Sequence, residues 1–167
     1  MYKFDHGRVW QCVYNFKPAF GFFSKENASF NLEPNRYSII ALIGNEELIN
    51  RYDSSYEFLL EYPDDHPGQY NHWIQSKNPL DDLIPDSGGS ANATGYTPIH
   101  IDWDQCFWGG LARSSVDKCI LDGSVSHSYW NYAIGDYYGY YKPKTPGACE
   151  SASHVMLWIR IKPIKHF

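Results

Sequence analysis

The chain has 167 residues, 43% of them hydrophobic and 17% aromatic, enough apolar area for one packed core and too much for a disordered segment or a disulfide-stapled miniprotein. Fourteen basic against nineteen acidic residues give a net charge of −5, and no Lys/Arg cluster supplies the basic face that nucleic acid requires. No apolar run is long enough to span a bilayer, so membrane insertion is not expected either.

Taken in chain order, strand-length runs fall at residues 9–16, 37–43, 56–62, 98–103, 129–134 and 154–164. In the third run Tyr56, Phe58, Leu60 and Tyr62 share one face, with Glu57, Leu59 and Glu61 on the other. The last run is the clearest. Val155, Leu157, Ile159 and Ile161 alternate with Met156, Trp158, Arg160 and Lys162, a pattern that a helix would scatter around its circumference. A short helix is predicted over residues 45–52, after Gly44, and another helical turn after Asn78-Pro79, with Asn78 capping. Residues 63–68, Asp122-Gly123 and residues 145–147 carry turn chemistry, and residues 85–95, with Gly88-Gly89-Ser90, read as flexible. The fold expected is mainly β: a single-domain sandwich or jelly-roll-like structure with long loops and one short helix.

The opening Met-Tyr-Lys-Phe-Asp-His lacks a secretory pattern, which places the chain in the cytoplasm if Met1 is the native start and outside the cell if a leader was removed. Cys12, Cys106, Cys119 and Cys149 form no C-x-x-C pair. Free, mostly buried thiols are expected, with a Cys106–Cys119 disulfide left open for an oxidising compartment.

Three constellations bear on chemistry. On a strand, His100, Asp102 and Asp104 share a face, with carboxylates about 6–7 Å apart at Cα, near the spacing of paired-carboxylate glycosidases. A solvated strand end is the competing explanation. Glu57 and Glu61, roughly 13 Å apart, form no such pair. The His100–Asp104 cluster with Asp122 and Asp136 could in principle hold a hard cation, but dense Asp/Asn/Gly spacing is missing and no metal is expected. There is no G-x-S-x-G elbow, no cysteine in a catalytic setting and no phosphate-cradling glycine loop, so neither cofactor nor catalysis is expected. The third constellation is the run from Tyr129-Trp130-Asn131 to Tyr140-Tyr141, whose alternation sends rings to both faces. Rings beside Asn and Asp stack on sugars or anchor proteins. Trp73, Trp108, Asp122, Tyr129, Trp130 and Asn131, next to turn segments, are the candidate binding residues.

Trp108-Gly109-Gly110-Leu111, Asp122-Gly123-Ser124, Tyr129-Trp130 and Gly135 together resemble the middle of C-type-lectin-like domains. The family's Glu-Pro-Asn or Gln-Pro-Asp triplet, its Trp-Asn-Asp step and its paired terminal cysteines are missing, so its calcium site does not carry over. A longer string is similar to aromatic-rich modules of trichomonad protist proteins. It includes Phe58-Leu-Leu-Glu-Tyr-Pro63, Asn71-His-Trp-Ile-Gln-Ser-Lys-Asn-Pro79, Tyr96-Thr-Pro-Ile-His-Ile-Asp-Trp103 and Leu157-Trp-Ile-Arg-Ile161. That resemblance implies a β-rich module over residues 56–167, with residues 1–55 as a docking extension, and no assigned activity.

The leading expectation is a non-catalytic, lectin-like module binding carbohydrate through Trp and Tyr. The alternatives are a structural subunit of a larger cytoskeletal or flagellar assembly, using the same rings as protein anchors, and a jelly-roll glycosidase using Asp102 and Asp104.

Overall fold

The computed structural model describes residues 1–47, 49–83, 92–114, 117–125, 131–138 and 151–163. Its strands, in chain order, are β1 (Tyr2–Asp5), β2 (Arg8–Phe16), β3 (Asn31–Glu33), β4 (Arg36–Ser38), β5 (Tyr56–Glu61), β6 (Tyr70–Gln75), β7 (Thr97–Ile101), β8 (Ala112–Arg113), β9 (Leu121–Asp122) and β10 (Val155–Ile161). Eight of them make one antiparallel sheet in the order β3-β4-β2-β10-β5-β6-β7, with β1 also paired to β2; β8 and β9 form a separate two-stranded ribbon. The molecule is mainly β and sandwich-like, as the period-two segments predict. Among the described residues the layer facing the large sheet contains the β8–β9 ribbon and long connections rather than a second broad sheet.

Why β2 and β10 lie at the centre follows from their sequences. Both are long, apolar on both faces and paired along their lengths. Leu157 faces Tyr14 and Trp158 faces Cys12, leaving Val13 as the extra residue of a bulge, so that Val13 and Tyr14 both reach the core. The other side of β2 is shared, β1 occupying its first half and β4 its last three residues. His6 and Gly7, at φ 51° and 70°, make the two-residue turn that joins β1 to β2, since paired positive φ values match the twist of a hairpin. Residues 1–55 therefore supply four of the sheet's strands, and are built into it rather than appended to it.

The sheet has two unequal faces. Val155, Leu157, Ile159 and Ile161 of β10 point into the main core with Tyr14, Phe16, Phe58, Leu60 and Trp73. Met156 and Trp158 point the other way, joining Trp10, Cys12 and Leu59 in a smaller cluster. That second face is covered by long side chains. The Lys3 ammonium lies 4.5 Å from the Trp158 ring centroid and 2.6 Å from Glu61 Oε1, while the indole N–H of Trp158 donates to Glu61 Oε2 at 2.7 Å.

Several expectations are corrected. The run at 37–43 ends as a strand at Ser38; Ile40–Leu42 is a single 3-10 turn that buries Ile40. No α-helix occurs among the described residues of 45–52. Asn45 Oδ1 instead accepts the Glu47 N–H, Ile49 is drawn into the core, and Arg51 bridges to Ile161, so local side-chain bonding and sheet contacts outcompete a helix too short to hold itself. Asn78 does receive the Leu80 N–H, at 3.0 Å, but only a turn follows. Of the run at 129–134, Tyr129 and Trp130 lie outside the described residues; Asn131 and Tyr132 form a turn and Ile134 bridges to Leu121. Residues 85–91 of the stretch expected to be flexible, and the turn at 145–147, also lie outside the described residues.

The cysteines divide differently from expectation. Cys106 is disulfide-bonded, whereas Cys12 and Cys119 are free and buried; Cys149 lies outside the described residues. The Cys106–Cys119 pairing is thereby excluded.

Candidate functional site

The tryptophan motifs come together, and they come together inside. Trp73 on β6 is wholly buried and Trp108 nearly so. Their rings meet edge to face at 4.8 Å, and Trp108 meets Tyr132 in the same way at 5.0 Å. Gly123 makes room for the indole: a Cβ there would sit 2.4 Å from a ring carbon of Trp108. Gly110, at φ 88°, turns the chain beneath Tyr96, whose hydroxyl accepts the Trp108 indole N–H at 3.1 Å.

Polar groups in this knot are committed to one another and to backbone. Gln75 Oε1 accepts the Trp73 indole N–H at 2.9 Å and the Leu111 N–H at 3.1 Å, while its amide donates to Leu111 O at 2.9 Å. Buried Asp122 accepts the Ser124 and Tyr132 N–H groups at 3.0 and 3.3 Å. The Ser124 hydroxyl donates to Cys106 O at 2.8 Å, and the Tyr132 hydroxyl donates to Gln105 O. Asn131 is buried as well, while Tyr129 and Trp130 lie outside the described residues. Trp73, Trp108, Asp122 and Asn131 are therefore in place as packing and turn residues. A ring sealed in the core offers solvent no stacking face.

The His100-Ile101-Asp102-Trp103-Asp104 cluster straddles the end of edge strand β7. Asp102 Oδ2 accepts the Tyr70 N–H at 2.8 Å and Oδ1 lies 3.1 Å from His100 Nε2. The Asp102 carboxylate thus terminates the β6–β7 ladder. Among the described residues no three His, Cys, Asp or Glu side chains gather as a metal-ligand set.

A different site emerges at the end of β8. A cleft of about 610 Å³ opens between the connection after β2, the end of β8 and the segment following Ile134. Its polar wall is Lys25, Ser29, Arg113, Ser114, Asp117 and Tyr137, and Ala41, Leu80 and Ile120 supply apolar floor. Backbone bonds fix each part. Ala41 N–H donates to Ser29 O, Arg113 N–H to Asp82 O, Ser114 N–H to Ile120 O and Tyr137 N–H to Lys118 O, all at 3.0 Å. These bonds tie Ser29 to Ala41, Asp82 to Arg113, and the segment 118–120 to both Ser114 and Tyr137.

The charges in the cleft are arranged unequally. Asp117 Oδ1 takes the Lys25 ammonium at 2.7 Å and the Tyr137 hydroxyl at 2.7 Å. The hydrogen bond from Lys25, then that from Tyr137, holds the Asp117 carboxyl below its ordinary range. Burial, reinforced by the Asp117 charge, pushes the Tyr137 phenol upward, so it remains a neutral hydroxyl. Arg113 has no side-chain partner among the described residues. The cleft thus presents a partly buried ring, an acceptor, hydroxyls and a guanidinium at one opening.

Comparison with protein-family models, with curated proteins and with solved structures gives no match.

Sequence reasoning missed this cleft. Lys25, Arg113, Asp117 and Tyr137 belong to no motif, and their convergence depends on pairings that no local spacing announces.

Proposed function

We propose that this protein is a non-catalytic binding module of lectin-like behaviour, and that the cleft beside Tyr137 is where carbohydrate sits. The observation that carries the reading is the cleft's lining: one aromatic ring beside a carboxylate, a guanidinium and serine hydroxyls, in a space of about 610 Å³. Sugars are bound by that combination, an apolar ring against the C–H face with fixed donors and acceptors around the hydroxyls. The buried tryptophan knot is not among the residues that line this cleft. The Cys106 disulfide adds support, because disulfides persist in oxidising compartments, where most glycan ligands are met. Asp102 and Asp104 take no catalytic part in this reading, since the Asp102 carboxylate is engaged by Tyr70 and His100.

A glycan array with the wild-type chain and Tyr137→Ala is the test. Binding lost in the variant at an unchanged melting temperature supports the proposal. Binding that persists in the variant sends the sugar elsewhere, and an array without signal removes the carbohydrate reading.

The assembly alternative rests on a separate observation. Tyr2, Phe4, Phe30 and Leu32 are large apolar residues exposed on or beside strands β1 and β3. Self-association or co-purification abolished by Phe4→Ser with Leu32→Ser would favour that reading over the first.

A further inference from the structure

Resting on the cleft reading above, we propose that the ligand is an acidic sugar, and that its carboxylate or sulfate group is seated on Arg113. The chain has five arginines and a net charge of −5. Arg8 pairs with Glu57, Arg36 with Glu33, Arg51 with Glu46 and Arg160 with Glu57. Carboxylates are abundant enough to neutralise every guanidinium, and four arginines are neutralised. Among the described residues Arg113 is the exception, and it lines the cleft of about 610 Å³.

Its position is not accidental to the backbone. Arg113 ends β8, pairs with Leu121 across the ribbon and donates its N–H to Asp82 O at 3.0 Å, so the side chain leaves from a fixed point. The second cation of the cleft, Lys25, is already held by Asp117 at 2.7 Å. Asp117 in turn is occupied by Lys25 and Tyr137, which among the described residues of the cleft leaves Arg113 as the charge without a partner. A guanidinium meets a carboxylate or sulfate through two parallel N–H···O bonds, a geometry that a lone ammonium does not supply. Beside it the Tyr137 ring and Ser29 are placed for the rest of a sugar. A free inorganic anion offers the same charge without the ring contact, and this separates the two sources experimentally.

The experiment titrates glucuronate, glucose and inorganic sulfate into ¹⁵N-labelled full chain, wild type and Arg113→Gln, following amide shifts near Arg113 and Tyr137. Glucuronate should bind, glucose should bind much more weakly, and Arg113→Gln should weaken glucuronate by at least about tenfold, the loss expected for a charge-assisted pair. Arg113→Lys, with the charge kept and the fork removed, should fall between them, and melting temperatures should not change because the side chain is exposed. Equal binding of glucose and glucuronate overturns the acidic-ligand inference and leaves the carbohydrate reading standing. Sulfate binding as tightly as glucuronate, with the same Arg113 dependence, overturns the acidic sugar and the carbohydrate reading together, leaving an anion seat. No shift with any probe overturns both.

Discussion

Glu57 is pulled in two directions by its surroundings on the outer face of the sheet. Burial raises its carboxyl pKa, but hydrogen bonds from His72 Nε2 at 2.8 Å and Arg160 Nη1 at 2.7 Å, with the charges of Arg160 and Arg8, outweigh burial and lower it. Arg8 Nε lies 3.0 Å from Oε1 but is misaligned, so it contributes charge without a hydrogen bond. Removing the negative charge would leave two guanidinium groups facing one another across a mostly covered site. Glu57→Gln should therefore cost about 1–3 kcal/mol at neutral pH, less than breaking a fully buried pair because both arginines are partly exposed. The pH dependence follows from the sign. A lowered folded-state pKa stabilises above the unfolded value of about 4.3, and that contribution is lost as pH falls through the folded value. The stability gap between wild type and Glu57→Gln, read from urea midpoints, should be constant from pH 7 to 5 and close below about pH 4. A gap unchanged at pH 3 would show that packing, and not charge, makes the difference.

At the scale of elements, the strands that could be read from the sequence are those whose period-two pattern is apolar on the side that becomes core. β10 is the clearest example, with Val155, Leu157, Ile159 and Ile161 all in the main cluster. Leu157→Ala or Ile159→Ala should cost about 2–5 kcal/mol, because both are fully enclosed and the neighbouring strands can collapse only partly into the space. A loss below about 1 kcal/mol in a denaturant titration would mean that the face is not packed as described. β6 was hidden because its buried positions include Asn71, His72 and Gln75, whose partners lie far along the chain. Asn71, for instance, exchanges hydrogen bonds with the backbone of Trp103, and Gln75 with that of Leu111. Polar residues satisfied at long range look like surface residues in a sequence. The helix expected at 45–52 does not form for the complementary reason: Ile49 is drawn into the core and Arg51 bridges to Ile161. Of the residues expected beside turns, Trp73 instead sits within β6, and Trp108 packs inward where Gly123 leaves room for its indole.

The whole molecule is asymmetric in how its layers are secured. The large sheet is tied by eight strands, whereas the facing layer depends on the β8–β9 ribbon, scattered hydrogen bonds and the disulfide at Cys106. Cys106 also receives the Ser124 hydroxyl, and its neighbour Gln105 receives the Tyr132 hydroxyl, so the crosslink anchors the same segment that packs around Trp108. Breaking it should loosen that layer first. The two free thiols provide an internal control. Burial pushes the Cys12 thiol up to about 11 and the Cys119 thiol well above its ordinary value, so neither forms appreciable thiolate near neutral pH. Iodoacetamide at pH 8 should consequently leave Cys12 and Cys119 unlabelled in the native chain and label Cys106 only after a reductant is added. Reduction should lower stability by about 2–5 kcal/mol, the usual cost of losing a native disulfide. Intrinsic tryptophan fluorescence should shift with it, since Trp108 lies in the loosened layer. Labelling of Cys12 without reductant would contradict its burial between Trp10 and Trp158, and an unchanged melting temperature on reduction would mean that packing alone holds the facing layer.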